Sequence, residues 1–159
     1  MSTALPNRPR QILHRRSIAV VSSQYNDEFV QGLVSNFEEE IGAVAPGTHI
    51  HKYEVPGSFE IPLMVQELAS YGGFDAIIAF GLIIQGETKH AELIGSAVTQ
   101  ALMTTSLQHR VPVIHEVLLV KDEEQARARC LGKDLNRGIE AARATAQMIQ
   151  SFSEVRNRS

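Results

Sequence analysis

Residues 75–92, DAIIAFGLIIQGETKHAE, constrain the fold more than any other stretch. Ala76-Ile77-Ile78-Ala79-Phe80 is apolar without alternation, the pattern of a strand covered on both faces in a parallel sheet. Gly81 breaks the run, Leu82, Ile83 and Ile84 continue the apolar surface, and Gln85-Gly86-Glu87-Thr88 turns it. Lys89-His90-Ala91-Glu92 then opens a helical pattern that runs on through Leu93-Ile94 and Ala97-Val98. In open α/β sheets, ligands bind outside the carboxyl ends of the strands. A helix N-terminus offers free N–H groups and a partial positive charge to an anion. His90 beside such a site is placed to move protons near neutral pH. The competing reading is an ordinary strand-to-helix connection with a solvated histidine.

The rest of the chain alternates around this unit. Residues 1–16 hold Pro6, Pro9 and four arginines with few apolar positions, which predicts an extended arm, ordered only where it lies against something. Residues 17–22, SIAVVS, read as the first buried strand. Asn26 or Asp27 caps a helix through Phe29, Val30, Leu33, Val34 and Phe37, with Gly42 as its end and Pro46-Gly47 as a loop. Residues 48–54 alternate as a strand, residues 55–60 turn, and a helix starts at Ile61-Pro62 and stops at Gly72-Gly73. The helix after His90 reaches about Gln108, and residues 111–120 form the fourth strand. Asp122-Glu123-Glu124 open a further helix, residues 132–138 interrupt the pattern, and an alanine-rich helix runs from Ile139 to about Phe152. The order β-α-β-α-β-α-β-α-α predicts an α/β three-layer sandwich: a four-stranded parallel sheet with helices on both faces. One domain over residues 17–159, preceded by the arm, suits the length.

Charge and cysteine content narrow the function. A net charge of −3 gives no overall basic field for nucleic acid or anionic membrane. No apolar run is long enough to span a bilayer, and the first residues lack the apolar core of a secretory signal. Cys130 is the single cysteine, so an intramolecular disulfide and a multi-cysteine metal site are excluded. His49 and His51 alternate onto one strand face, but no neighbouring carboxylate or cysteine completes a metal shell. The expectation is a cytoplasmic protein without metal.

In a parallel sheet the strand ends share one rim. That rim collects Tyr25-Asn26, Ser58-Phe59-Glu60 and the turn from Gly86 to His90, with His115-Glu116 inside the fourth strand. Two aromatic rings suit a planar heterocycle, and a carboxylate such as Glu60 accepts hydrogen bonds from sugar-like hydroxyls. Taken singly, each residue has a structural explanation: a turn tyrosine, a core phenylalanine, a glutamate favouring a helix start, Arg129 and Lys133 as a solvated basic face.

The motifs VPGSFEIP at 55–62 and FGLIIQGETKH at 80–90 resemble the lumazine synthase family, whose fold is flavodoxin-like. ARARCLGKDLNRG at 126–138 is similar to that family's late arginine-and-lysine segment, and SQYND at 23–27 to its early aromatic-Asn-Asp turn. The resemblance covers about residues 17–152. It implies condensation of 5-amino-6-ribitylaminopyrimidinedione with 3,4-dihydroxy-2-butanone 4-phosphate to 6,7-dimethyl-8-ribityllumazine, a transferase reaction of riboflavin biosynthesis that needs no cofactor. By the same resemblance Tyr25, with Asn26 beside it, stacks on the pyrimidine, and Ser58, Phe59 and Glu60 hold the ribityl chain. Leu82, Ile83 and Ile84 contact the heterocycle. Glu87 and Thr88 form the phosphate turn, Arg129 is its charged partner, His90 carries protons, and Lys133 stands at the site edge.

Three positions depart from the commoner family pattern. Ala91 follows the histidine where an aromatic is usual, Gln85 stands where a basic residue is frequent, and His115 replaces a phenylalanine from the neighbouring subunit. The resemblance further implies small-molecule substrates and a homo-oligomer, a pentamer whose site lies between subunits. A sixty-subunit shell is compatible with the absence of an insertion in residues 129–138, and riboflavin synthase is a candidate protein partner. A flavin-binding module without turnover and a shell protein are the alternatives.

Overall fold

The computed structural model describes residues 3–158. Four strands, β1 (Arg16–Ser23), β2 (Thr48–Val55), β3 (Ala76–Ile84) and β4 (Val113–Val120), form one parallel sheet in the order β2-β1-β3-β4. Five helices connect and cover them: α1 (Asp27–Val44), α2 (Ile61–Tyr71), α3 (His90–His109), α4 (Glu123–Cys130) and α5 (Arg137–Arg156). The α/β three-layer arrangement read from the sequence is the one observed.

The two faces of the sheet explain the unalternating strands. Ile78 and Phe80 of β3 pack with Ile18 and Val20 of β1 beneath α1 and α5, where Phe37 meets Phe80 edge-on at 5.4 Å. Ile77 and Ala79 pack with Ala19 and Val21 beneath Val65 and Leu68 of α2 and Val98 and Leu102 of α3. Every apolar side chain of β3 from Ala76 to Leu82 therefore enters one of two cores. Burying a side chain of this size contributes about 1.5–3 kcal/mol, so the strand has no solvent face to encode.

Among the boundaries that differ from the sequence reading, four have a clear local reason. Gly81 does not break β3. Pairing with β4 continues from Gly81–Val117 to Ile84–Val120. A Cβ at Gly81 would lie 2.7 Å from Ser58 Oγ, so the glycine serves close packing of a neighbouring turn. Gly42 does not end α1, because Ile41 and Val44 carry the buried stripe one turn further while Gly42 faces open space. Helix α5 begins at Arg137, since buried Asn136 accepts from the amides of Gly138 and Ile139, a cap worth about 1 kcal/mol. Strand β4 starts at Val113, after Pro112.

Residues 3–15 of the arm contain no helix or strand, yet they lie along α1 and α5 of their own chain. Ile12 is buried and its amide donates to Val44 O at 2.8 Å. Glu40, also buried, takes Arg8 from the arm and Arg143 from α5. The last arm residue of the sequence reading, Arg16, belongs to β1.

Candidate active site at the carboxyl edge of the sheet

The strand order reverses between β1 and β3, the point where ligands enter parallel sheets. Pairing between these strands ends at Ser22–Phe80, so Leu82, Ile83 and Ile84 extend beyond β1. A cleft of about 610 Å³ opens there, lined by Tyr25, Asn26, Gly57, Ser58, Phe59, Glu60, Leu82, Ile83, Ile84, His90 and Ile94.

Three connections build its walls. After β1, Asn26 adopts a left-handed conformation with φ 61°, which asparagine tolerates better than most residues. Its side chain does not cap α1. Instead Nδ2 donates to Leu82 O at 2.8 Å, tying the first turn to the free end of β3. After β2, Ser58–Glu60 forms a single 3₁₀ turn. Gly57 is required before it, because a Cβ there would come within 2.7 Å of the Tyr25 ring. Tyr25 and Phe59 are each 67% exposed, so neither is a core residue, and both present apolar rings at the mouth.

The third wall is the start of α3. His90 is its first residue and is exposed. No side chain caps this helix, so its leading amides are open to an anion, and only the His90 amide reaches Thr88 Oγ1, at 3.4 Å. Ile94, one turn on, adds an apolar contact that the helical pattern contained but that the sequence reading did not assign to the site. Gly57 is the other lining residue missed, although it stands inside the quoted motif.

Nine of the residues proposed from sequence therefore meet in one cleft: Tyr25, Asn26, Ser58, Phe59, Glu60, Leu82, Ile83, Ile84 and His90. Five do not line it. Glu87 and Thr88 lie exposed in the loop before α3. Arg129, on α4, has Nε and Nη1 buried without a hydrogen-bond partner among the described residues. Lys133 is on the α1 side, where Nζ donates to Asn36 Oδ1 and pairs with Glu39, beside a separate cavity. His115 sits half-buried on β4 with Nε2 2.8 Å from Thr99 Oγ1. Burial, and secondarily the charge of Arg137, lowers its pKa. Behind it Glu116 faces Arg137 at 3.0 Å, and burial outweighs that charge, raising the Glu116 carboxyl to about 7.

Fold and cleft together define a protein with a small-molecule site at the switch point of a parallel sheet. The family profile described as 6,7-dimethyl-8-ribityllumazine synthase matches residues 15–153, and the chain belongs to that family. The 6,7-dimethyl-8-ribityllumazine synthase of Pyrococcus furiosus is 39% identical over 142 residues, 87% of this chain and 86% of that protein. That of Thermococcus kodakarensis is 37% identical over 149 residues, 89% of each chain. The 6,7-dimethyl-8-ribityllumazine synthase 1 of Caulobacter vibrioides is 36% identical over 140 residues, 87% of this chain and 92% of that protein.

Proposed function

We propose that the chain makes 6,7-dimethyl-8-ribityllumazine from 5-amino-6-ribitylaminopyrimidinedione and 3,4-dihydroxy-2-butanone 4-phosphate. The observation that carries this reading is the switch-point cleft, which gathers two exposed aromatics, a carboxylate and a histidine in a chain of this family. Tyr25 offers a ring face to the pyrimidine, and Ser58, Phe59 and Glu60 hold the ribityl chain, Glu60 accepting from its hydroxyls. The open amides of α3, with Glu87-Thr88 before them, take the phosphate.

Arg129 completes the phosphate site from an adjoining copy in a homopentamer. Its buried, unpartnered nitrogens suit a bidentate anion, and it is absent from the lining of its own cleft. The chemistry is amine addition to the butanone carbonyl with loss of water, elimination of phosphate, then ring closure by the ribityl-bearing nitrogen with loss of a second water. His90 is placed to relay the protons. Holding both reactants together supplies much of the rate. No cofactor or metal enters these steps. Residues 129–138 leave room for a sixty-subunit shell, riboflavin synthase is a chemically apt partner because it consumes the product, and the cytoplasm is the compartment that fits.

Mixing both substrates with the purified protein tests the reading. Lumazine absorbance and fluorescence should rise together with one phosphate released per product. Binding of the pyrimidine with no product would make the chain a ligand-binding module instead.

A further inference from the structure

His115 is held by both of its ring nitrogens. The Val117 amide donates to Nδ1 at 3.1 Å, so Nδ1 carries no hydrogen. A neutral imidazole then has its single N–H on Nε2. That nitrogen is 2.8 Å from Thr99 Oγ1, so Nε2 donates and the threonine accepts. Both in-plane positions are thereby occupied, and only the π faces of the ring remain for contact. A histidine fixed in this way acts as a stacking plate, not as a hydrogen-bonding or proton-transferring group.

We propose that Thr99 is a positioning residue: the Val117 amide sets the Nε2–H tautomer of His115, and Thr99 fixes the plane of that ring so that its flat face meets the pyrimidine bound by an adjoining copy. This rests on the functional reading above and on the family resemblance, which implies that the position of His115 serves the neighbouring subunit's site. The location supports it. β4 is an edge strand, open on the side away from β3, and His115 is half-buried there. Thr99 lies on α3, the helix whose first residue is His90, so one rigid element carries the proton relay at one end and aligns the ring near its middle.

The lock also sets a pH response. Adding a proton puts a second N–H on Nδ1, facing the Val117 amide that now donates to it. Burial opposes the cation as well, and so does Arg137 from α5. Ala79 is the β3 partner of His115 and Thr99 meets the ring from α3, neither charged, while adjacent Glu116, raised to about 7, loses its charge as pH falls and leaves Arg137 to oppose the cation further. The ring therefore stays neutral below the usual histidine value of about 6.5.

The test joins spectroscopy of the imidazole nitrogens with titration of the pyrimidine substrate, in wild type, Thr99→Val and Thr99→Ser. Wild type should show the Nε2–H form, with His115 titrating below the usual histidine value. Thr99→Val should keep the Nε2–H form, free the ring to turn, and weaken pyrimidine binding about three- to tenfold, the effect of one hydrogen bond. It should leave particle size, saturated kcat and KM for the butanone phosphate within about twofold. Thr99→Ser should restore wild-type behaviour. An Nδ1–H ring in wild type, or unchanged pyrimidine affinity in Thr99→Val, overturns the proposal. The titration needs no turnover, so absent synthesis would overturn the reaction assignment without deciding this one.

Discussion

The two ends of the polar inventory are treated in opposite ways. Behind α1 and α5, buried carboxyl groups are paired with arginines: Glu40 between Arg8 and Arg143, and Glu116 with Arg137, which also meets Glu140. At the carboxyl edge of the sheet, two large rings stand in solvent, α3 starts without a side-chain cap, and His90 is exposed. An uncapped helix and solvated aromatics forgo stabilisation that the chain obtains elsewhere. Groups left open at a concave edge are those a ligand can satisfy. On the function proposed above, the paired region maintains the fold and the open region binds.

The contrast predicts separable mutational effects. Glu40→Ala removes the partner of two arginines and leaves Arg143 largely buried, so stability should drop by about 3 kcal/mol while lumazine formation at low temperature persists. Burial raises the Glu40 pKa, but hydrogen bonds and charge from Arg8 and Arg143 outweigh it and hold the net value below the ordinary 4.5. A depressed folded pKa means its stabilisation is present above 4.5 and lost as pH falls below it. Denaturant unfolding from pH 7 to pH 3 should show that loss in wild type and less of it in Glu40→Ala.

Arg129→Ala should do the reverse. A charge-assisted contact of about 1.5–3 kcal/mol corresponds to a ten- to hundredfold rise in KM for the butanone phosphate, with little change for the pyrimidine or in melting temperature. Equal weakening of both substrates would move Arg129 into the paired, structural group.

His90→Ala is expected to give the smallest change. Proton transfer by a positioned side chain contributes about 10²–10⁴-fold in general, but an amine and an activated carbonyl react readily once held together. A fall in kcat nearer tenfold is expected, with assembly and pyrimidine binding intact. A kcat unchanged from pH 6 to 8 would leave proximity as the main source of rate.

The open region was far more legible in the sequence than the paired one. Tyr25, Ser58-Phe59-Glu60, Leu82 and His90 stand in short motifs at strand ends, and parallel topology alone carries strand ends to one edge. The Glu40 cluster joins residues far apart in the chain, Arg8 and Arg143, and no local pattern announces it. Gly42 and Gly81 looked like breaks because the contacts that override them come from other elements. The Asn136 cap did carry a local signal, an asparagine just before a helical stretch. Lys133 had no such signal: Asn36 and Glu39 of α1 draw it away from the cleft.

In the proposed function, the open groups form one site shared by two copies. Glu60→Ala cripples the cleft of its own chain, and Arg129→Ala cripples the phosphate contact that chain gives its neighbour. Dissociating the two variants, mixing them in equal amounts and reassembling them should restore activity at low butanone phosphate. Random assembly should return about a quarter of the wild-type rate, because half the clefts are intact and half of those receive a wild-type Arg129. A mixture no more active than the sum of its two variants would place Arg129 and Glu60 in the same chain's site and contradict the account.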